Sequence, residues 1–158
     1  MDIRIDSESG KFKFRVCGIL ENDKKYLVVK MGGNDFYCLP GGHVELGEDT
    51  NIAVLREMKE ELGFDVEIKR LVAINQNFFK SKDGKDFHEL GFYYIVTAKD
   101  SSKITPNDYE REELDKGQWK HLEFKWVSFD ELQKIDFRPT FLKNCLNSNE
   151  VLISTTRD

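Results

Sequence analysis

The sequence predicts an α/β fold in which helices cover both faces of a mixed β-sheet. Three observations lead to this prediction: strand-like segments dominate the chain, one segment in the middle has a helical period, and the C-terminal end reads as helical. The chain has 158 residues, of which 39% are hydrophobic. We therefore expect a single domain over residues 1–158 that buries a core of its own.

The N-terminal part of the chain predicts a β-hairpin and a short strand. Phenylalanine and valine alternate with lysine and arginine at the start of residues 11–20, and residues 25–31 follow after an Asn-Asp turn. Residues 36–39 read as a short strand. We expect residues 40–42, Pro-Gly-Gly, to end that strand with a turn.

A helix is predicted over residues 50–62, where the apolar side chains change to a helical period. Asp49 or Thr50 is available to cap its N-terminus, and Gly63 is placed to end it. The helix is the strongest single element in the sequence.

The remainder of the chain predicts strands and then helices. Strand-like segments lie at residues 66–75, 87–98 and 122–127. Residues 99–117 read as a long polar loop, and residues 122–127 as the last strand. Helical stretches begin near Ser128 and Pro139.

Charge and composition exclude several classes of protein. The chain carries 24 Lys plus Arg against 29 Asp plus Glu, a formal charge of −5 with the histidines neutral, which argues against a broad nucleic-acid surface. It has no run of 18 apolar residues and no secretory signal, so we expect a cytoplasmic protein without a membrane partner. The cysteines at positions 17, 38 and 145 are widely spaced, which argues against a disulfide or a zinc site.

Three carboxylates are predicted to share one face of the helix. Glu57, Glu60 and Glu61 stand at i, i+3 and i+4, within about 6 Å of one another. Such charges repel unless a cation sits among them, and oxygen ligands suit Mg²⁺ or Mn²⁺. The alternative is a solvated helix face whose acids pair with Arg56 and Lys59, as in most charge runs.

The pattern around the helix identifies a family. Gly42 is followed by five residues, Glu48, seven residues and then the segment 56–64, Arg-Glu-Met-Lys-Glu-Glu-Leu-Gly-Phe. This resembles the signature of the Nudix hydrolase family, the MutT-like pyrophosphohydrolases: G-x5-E-x7-R-E-U-x-E-E-x-G-U, where U is bulky and apolar. All seven fixed positions match, with Met58 and Phe64 at the U positions. Residues 39–45 and 125–132 resemble the family's strand-to-loop entry and its closing strand and helix.

The resemblance implies a fold and an activity. The fold would be an α/β/α sandwich with a mixed sheet and the motif helix packed on one face. The activity would be hydrolysis of the pyrophosphate bond of a nucleoside di- or triphosphate or a related diphosphate-linked compound, with Mg²⁺ or Mn²⁺ as cofactor. The partner would be a small nucleotide, and dimers are frequent among relatives, which leaves a homodimer open.

The resemblance also implies roles for the motif residues. Glu57, Glu60 and Glu61 would hold the metal, with the Gly41 carbonyl as a further ligand, and Glu57 would be the base that deprotonates water. Arg56, grouped with the catalytic residues, would pair with Glu48 to fix the loop against the helix. Gly42 and Gly63 would allow backbone conformations that other residues disfavour, Gly42 in a tight loop and Gly63 at the helix end.

Residues outside the motif are less determined by the resemblance. Relatives often use a further carboxylate from outside the motif as a ligand or base. In this chain we expect Glu123 or Glu113 to supply it, and we include Glu123 among the metal ligands. Glu110 and Glu112 are expected in a solvated loop. Side chains that could bind the substrate by stacking on its base are, first, Tyr37 and Phe79, with Phe78 and Trp119 as further aromatics.

Two alternative functions remain open. The first is a nucleotide-binding regulator of the same fold without turnover, which is disfavoured because all three helix carboxylates are present. The second is an isomerase-type relative acting on an allylic diphosphate, for which Cys17 and Cys38 are candidates. A proline about fifteen residues past the motif is common among ADP-ribose enzymes of the family, and this chain lacks it. Dinucleoside polyphosphate enzymes commonly carry a tyrosine in the same neighbourhood, where this chain has Phe78 and Phe79. Both substrate assignments are therefore weakened.

Overall fold

The computed structural model describes residues 1–115 and 117–157. In this part of the chain the strands are β1 Arg4–Asp6, β2 Gly10–Asn22, β3 Lys25–Met31, β4 Gly41–His43, β5 Val66–Lys80, β6 Asp86–Ala98, β7 Tyr109–Asp115, β8 Gln118–Ser128 and β9 Leu152–Arg157. The α-helices are α1 Thr50–Leu62 and α2 Phe129–Lys134, and short 3₁₀ helices span Ser101–Lys103 and Thr140–Asn144.

One long strand, β2, organises the sheet. The strand order is β7-β8-β3-β2-β6-β5-β9, and β1 and β4 also pair with β2. β2 runs parallel to β6 over residues 10–20, whereas it pairs with β3 only at the hairpin, where Glu21 faces Tyr26. The hairpin turn is formed by Asp23 and Lys24, both with positive φ, which matches the right-handed strand twist. The predicted hairpin is confirmed.

Helices cover both faces of the sheet, so the predicted α/β fold is confirmed. On one face the core includes Ala53, Val54 and Met58 of α1. On the other face it includes Leu132 of α2 and Leu142 of the second 3₁₀ helix. Alternating strand residues point to opposite cores, as the two-residue period of a strand requires.

Helix α1 has the predicted bounds. Gly63 adopts a left-handed conformation with φ 83° and donates its N–H to the Lys59 carbonyl, which ends the helix. Asp49 occupies the N-cap position in extended conformation, without a side-chain hydrogen bond to the helix. Ser128 caps α2 through a reciprocal capping box with Glu131. The prediction that a helix begins near Ser128 is confirmed.

Several other predictions were wrong. Residues 41–43 form strand β4 instead of a turn, and residues 36–39 contribute only isolated bridges at Tyr37 and Cys38. β7 lies within the predicted polar loop of residues 99–117. The C-terminal end carries β9, so residues 122–127 are not the last strand. Among the described residues, no helix combines the length and the hydropathy that crossing a membrane would need.

Candidate active site

Helix α1 packs on the sheet and carries its carboxylates beside the packed side. Val54 and Met58 are fully buried against the sheet. At about 100° per residue, Glu61 stands next to Val54 around the helix, followed by Glu57 and then by the exposed Glu60. The fold therefore brings Glu57, Glu60 and Glu61 to one face, as their spacing predicts.

Arg56 joins the helix to the loop before it. Its Nε lies 2.8 Å from Glu48 Oε1 and its Nη2 lies 2.9 Å from Glu48 Oε2, a two-point ion pair. Nη2 also donates to the His43 carbonyl at 3.1 Å, and Nη1 donates to Glu57 Oε1 at 2.7 Å. The predicted pairing of Arg56 with Glu48 is confirmed, and the same guanidinium holds the Glu57 carboxylate.

Strand β4 passes the helix at a distance that only glycine allows. A Cβ on Gly42 would lie 2.2 Å from the Glu57 carboxyl carbon, and a Cβ on Gly41 would lie 2.1 Å from the Val16 carbonyl oxygen. Neither glycine has a positive φ, so the tight-loop role predicted for Gly42 is wrong. Gly42 is required for close approach of the strand to the Glu57 carboxylate.

The three carboxylates differ in their surroundings. Burial raises the pKa of Glu61 to about 8, although a hydrogen bond from the Gly41 backbone and the charge of Arg15 oppose the shift. Burial also raises the pKa of Glu57, against the effect of Arg56. Glu60 is exposed at the rim, with Oε1 3.7 Å from Arg56 Nη1. Two carboxylates thus lie in an environment that disfavours their charge unless a cation is supplied.

A fourth carboxylate, Glu113, lies on the same side of the sheet as these three. Glu113 and Arg111 are two residues apart on β7 and therefore share a face, and Arg111 pairs with Leu122, which lies in the core beneath α1. The Arg111 guanidinium donates a hydrogen bond to the Glu61 carbonyl oxygen, and its Nη2 lies 3.6 Å from Glu113 Oε1. The charge of Glu113 also raises the pKa of Glu61, so Glu113 is close to the acidic face.

Glu123 lies on the opposite side of the sheet from α1. It stands between Leu122 and Phe124, whose side chains face α1, and it pairs directly with Glu110. The structure therefore does not bring Glu123 to Glu57, Glu60 and Glu61, and its inclusion in that metal set is corrected. Sequence alone could not decide this, because the face depends on the strand register.

Glu123 belongs instead to a second group of possible ligands. One ligand atom each from Glu110, His121 and Glu123 lies within 4.8 Å of the others, on β7 and β8. A hydrogen bond with Glu112 raises the pKa of His121. These residues lie on strands rather than in the solvated loop predicted for Glu110 and Glu112.

A cleft of about 770 Å³ opens beside Gly41 and Gly42. Phe79 lines it and stacks on Phe87 with ring centroids 4.9 Å apart. Tyr37 is not among the described residues that line this cleft. Its ring packs against the core on the α2 side, with Lys30 Nζ 4.7 Å from its centroid. The structure thus places Phe79, and not Tyr37, at the cleft.

Sequence reasoning gave no site role to Arg15 or His43, two further residues of the cleft wall. Arg15 of β2 pairs directly with His43 of β4, and Arg15 Nη1 lies 3.9 Å from Glu89 Oε2. Burial lowers the pKa of His43, so the imidazole is neutral, and its Nε2 is buried without a hydrogen-bond partner. In β2, Lys11, Lys13 and Arg15 alternate with apolar residues, and this pattern could have placed the Arg15 side chain on the face that lines the cleft.

Comparisons with known proteins agree with this geometry. The NUDIX domain family model matches residues 11–145. An ADP-ribose pyrophosphatase from Methanocaldococcus jannaschii is 45% identical over 84 residues, which are 51% of this chain and 48% of that protein. The nucleoside triphosphatase NudI from Salmonella agona is 43% identical over 53 residues, 30% of this chain and 38% of that protein. The chain thus spans about half, or less, of the length of these relatives.

Solved structures share the fold. A MutT protein from Bacillus halodurans aligns with a TM-score of 0.61 at 19% identity, over 92% of this chain and 89% of that chain. A NUDIX hydrolase from Nitrosomonas europaea aligns with a TM-score of 0.56 at 25% identity, over 84% of each chain. With Arg56, Glu57, Glu60 and Glu61 of the signature on one helix, and with the family model matching most of the sequence, this chain belongs to the Nudix family.

Proposed function

We propose that this protein hydrolyses the pyrophosphate bond of a nucleoside di- or triphosphate, or of a related nucleoside diphosphate-linked compound, with Mg²⁺ or Mn²⁺. The observation that carries the proposal is the acidic face of α1 against the glycine strand β4. Glu57 and Glu61 are partly withdrawn from water there, beside a cleft large enough for a nucleotide. Membership of the family supports the same activity.

The donor set fits a hard divalent cation. Glu57, Glu60 and Glu61 supply carboxylate oxygens, and Glu113 is the additional carboxylate that the β7 register favours. The Gly41 carbonyl remains the predicted backbone ligand. Oxygen donors of this kind suit Mg²⁺ and Mn²⁺ better than softer metals. Burial, together with the charges of Glu113 and Glu57, raises the pKa of Glu61, and a bound cation would offset this effect. When bound, the ion would lower the pKa of a water and shield the phosphate charge.

Arg56 and Glu57 would prepare the water for attack. The Arg56 guanidinium occupies Glu57 Oε1, which fixes the carboxylate and leaves Oε2 to accept a proton. The raised pKa of Glu57 makes it a better base than an exposed glutamate. Attack by water at phosphorus would then break one bond of the P–O–P bridge, and the bridging oxygen would leave with one product. No covalent enzyme intermediate is needed.

The activities of two relatives fall within this proposal. One is an ADP-ribose pyrophosphatase and the other a nucleoside triphosphatase. Both names describe cleavage at a phosphate linkage of a nucleotide. They differ in the group attached beyond that linkage, so the substrate of this chain depends on residues outside the shared motif.

An isomerase acting on an allylic diphosphate is the second candidate, because Cys17 and Cys38 line the cleft. Burial raises the pKa of Cys17 to about 12 and that of Cys38 to about 11, so both thiols are protonated at neutral pH. A protonated thiol can serve as an acid but not as a nucleophile. Incubation with an allylic diphosphate, followed by product analysis, separates this reaction from hydrolysis.

A nucleotide panel tests the proposed function. The wild type is incubated with nucleoside di- and triphosphates, ADP-ribose and a dinucleoside polyphosphate, with Mg²⁺ or with EDTA, and released products are separated. We expect hydrolysis that requires Mg²⁺ and is lost in Glu61→Gln, while Lys59→Gln on the same helix retains it. Turnover of equal rate in Glu61→Gln, or in EDTA, would contradict the proposal.

A further inference from the structure

The floor of the cleft is the face of the sheet that β2 shares with β5 and β6. Side chains two residues apart on a strand point to the same side, so Lys11, Lys13 and Arg15 of β2 lie in one row. Their partners in the parallel β6 are Phe87, Glu89 and Gly91, in that order. We call the three basic residues of β2 the basic stripe.

The cleft is strongly positive although the protein is acidic. Within residues 1–115 and 117–157, seven Lys or Arg side chains line it against two Asp or Glu side chains, whereas the whole chain has a formal charge of −5. The cations are Arg4, Lys11, Lys13, Arg15, Lys80, Lys120 and Arg138, and the carboxylates are Asp6 and Glu89. A cleft lined by one sign of charge concentrates ligands of the other sign.

The two carboxylates neutralise the stripe only in part. Asp6 Oδ2 lies 3.1 Å from Lys11 Nζ, and both side chains reach solvent. Glu89 Oε2 lies 3.9 Å from Arg15 Nη1, and the Arg15 guanidinium makes no hydrogen bond to a residue within the described ranges 1–115 and 117–157. A partly buried guanidinium such as that of Arg15 offers five donors in a fixed fork, which suits a phosphate group.

The basic stripe begins beside the acidic face of α1. Arg15 pairs with His43 of β4, and Gly42, which lies against the Glu57 carboxylate, lines the same cleft as Arg15. From Arg15 the stripe runs away from the helix to Lys11, a distance of about 13 Å for four strand residues. Lys13 Nζ and Lys11 Nζ lie 5.1 Å and 5.9 Å from the Phe87 centroid, so the stripe ends at the aromatic wall.

We infer that the substrate carries a chain of three or more phosphates, and that the basic stripe binds the phosphates beyond the one attacked at α1. A diphosphate joined to two sugars places its charge near Arg15 and leaves neutral sugar opposite Lys13 and Lys11. A longer phosphate chain continues along the stripe and meets each cation in turn. This inference rests on the proposed function and assigns its substrate class: nucleoside triphosphates and polyphosphates rather than ADP-ribose.

The test compares two substrates in two matched variants. Lys11→Gln/Lys13→Gln removes two charges from the stripe, and Lys99→Gln/Lys134→Gln removes two charges from exposed positions that do not line the cleft. Steady-state kinetics with Mg²⁺ are measured for nucleoside triphosphates and for ADP-ribose, and thermal unfolding verifies that both variants fold.

We expect the wild type to prefer a nucleoside triphosphate over ADP-ribose in kcat/KM. The stripe variant should lower kcat/KM for the triphosphate by at least about tenfold, mainly through KM, and affect ADP-ribose much less. The control variant should resemble the wild type. In the wild type, added salt should reduce kcat/KM for the triphosphate more steeply than for ADP-ribose, a measurement that needs no substitution.

Three results would overturn the inference while leaving the proposed function intact. These are a kcat/KM for ADP-ribose that equals or exceeds that for every triphosphate, an equal loss for both substrates in the stripe variant, and an equal salt dependence. Absence of Mg²⁺-dependent hydrolysis of every nucleotide tested would instead overturn the proposed function, and the inference with it.

Discussion

Arg56 and Glu48 are joined by two hydrogen bonds, of 2.8 and 2.9 Å, across the junction between α1 and the loop that precedes it. The second oxygen of Glu48 also accepts the backbone N–H of Glu45 at 3.0 Å. Because Arg56 holds Glu57 with its remaining nitrogen, the loop, the helix and the candidate base are fixed as one unit. We therefore propose that the signature positions Arg56 and Glu48 act through Glu57 rather than through the substrate.

Replacing this guanidinium by an amine should separate the three groups. Arg56→Lys keeps the charge but cannot bond Glu48 and Glu57 in the same geometry. We expect the free energy of unfolding to fall by about 2 kcal/mol, because the half-buried carboxylates lose their partner, and kcat to fall with it. Chemical denaturation and steady-state kinetics measure the two effects, and Lys59→Gln is the control. An Arg56→Lys protein with unchanged kcat would contradict the positioning role.

Gly42→Ala should impair the site more than the fold. The new Cβ would overlap the Glu57 carboxylate, whose displacement changes the acidic face but not the sheet pairing of β4. We expect a large loss of kcat with a modest change in melting temperature. If the clash is with Glu57, the double variant Gly42→Ala/Glu57→Asp should melt at a higher temperature than Gly42→Ala, because a shorter side chain relieves the overlap. Equal melting temperatures would place the strain elsewhere.

Glu113 and Glu123 provide a matched pair for locating the distal carboxylate. They lie on opposite faces of the β7–β8 pair, and the charge of Glu113 raises the pKa of Glu61. Glu113→Gln should therefore weaken the binding of Mg²⁺. The Mg²⁺ concentration needed for half-maximal rate should rise by roughly tenfold. Glu123→Gln should leave that concentration unchanged. The opposite ranking would show that the helix site draws its extra ligand from the other face.

The metal-free protein should lose stability as the pH rises. In the folded state the pKa of Glu61 is raised to about 8 from its ordinary value of 4.5. The folded protein therefore binds this proton more tightly than the unfolded chain, and the associated stability is complete below pH 4.5 and lost as the pH rises to 8. Melting temperatures in EDTA between pH 5 and 8 should fall more for the wild type than for Glu61→Gln. Parallel curves for the two proteins would contradict the raised pKa.

The sequence predicts α1 well because its determinants are local. Its period, its N-cap position at Asp49 and its terminal Gly63 lie within one short segment, and the signature adds the roles of its carboxylates. Pairing of Arg56 with Glu48 follows from the same segment. These features do not depend on which strands meet in the sheet.

The parts that sequence reasoning missed are set by distant contacts. β7 reads as a polar loop because Arg111 and Glu113 face the end of α1, while Glu110 and Glu112 face His121, so neither side of the strand is apolar. A Pro-Gly-Gly segment signals a turn locally, but here the glycines allow β4 to fit between β2 and α1. β9 was missed because it is a short strand that pairs only with β5, and Ile153 is 77% exposed.

Mn²⁺ titration measures whether the acidic face of α1 holds a divalent cation. Binding is measured by paramagnetic resonance or calorimetry on the wild type, on Glu57→Gln/Glu61→Gln and on Lys59→Gln, with folding verified by circular dichroism. We expect saturable binding to the wild type and to Lys59→Gln, and binding at least about tenfold weaker in the double variant. A folded wild type without saturable uptake, with or without nucleotide, or a double variant with undiminished uptake would contradict the account.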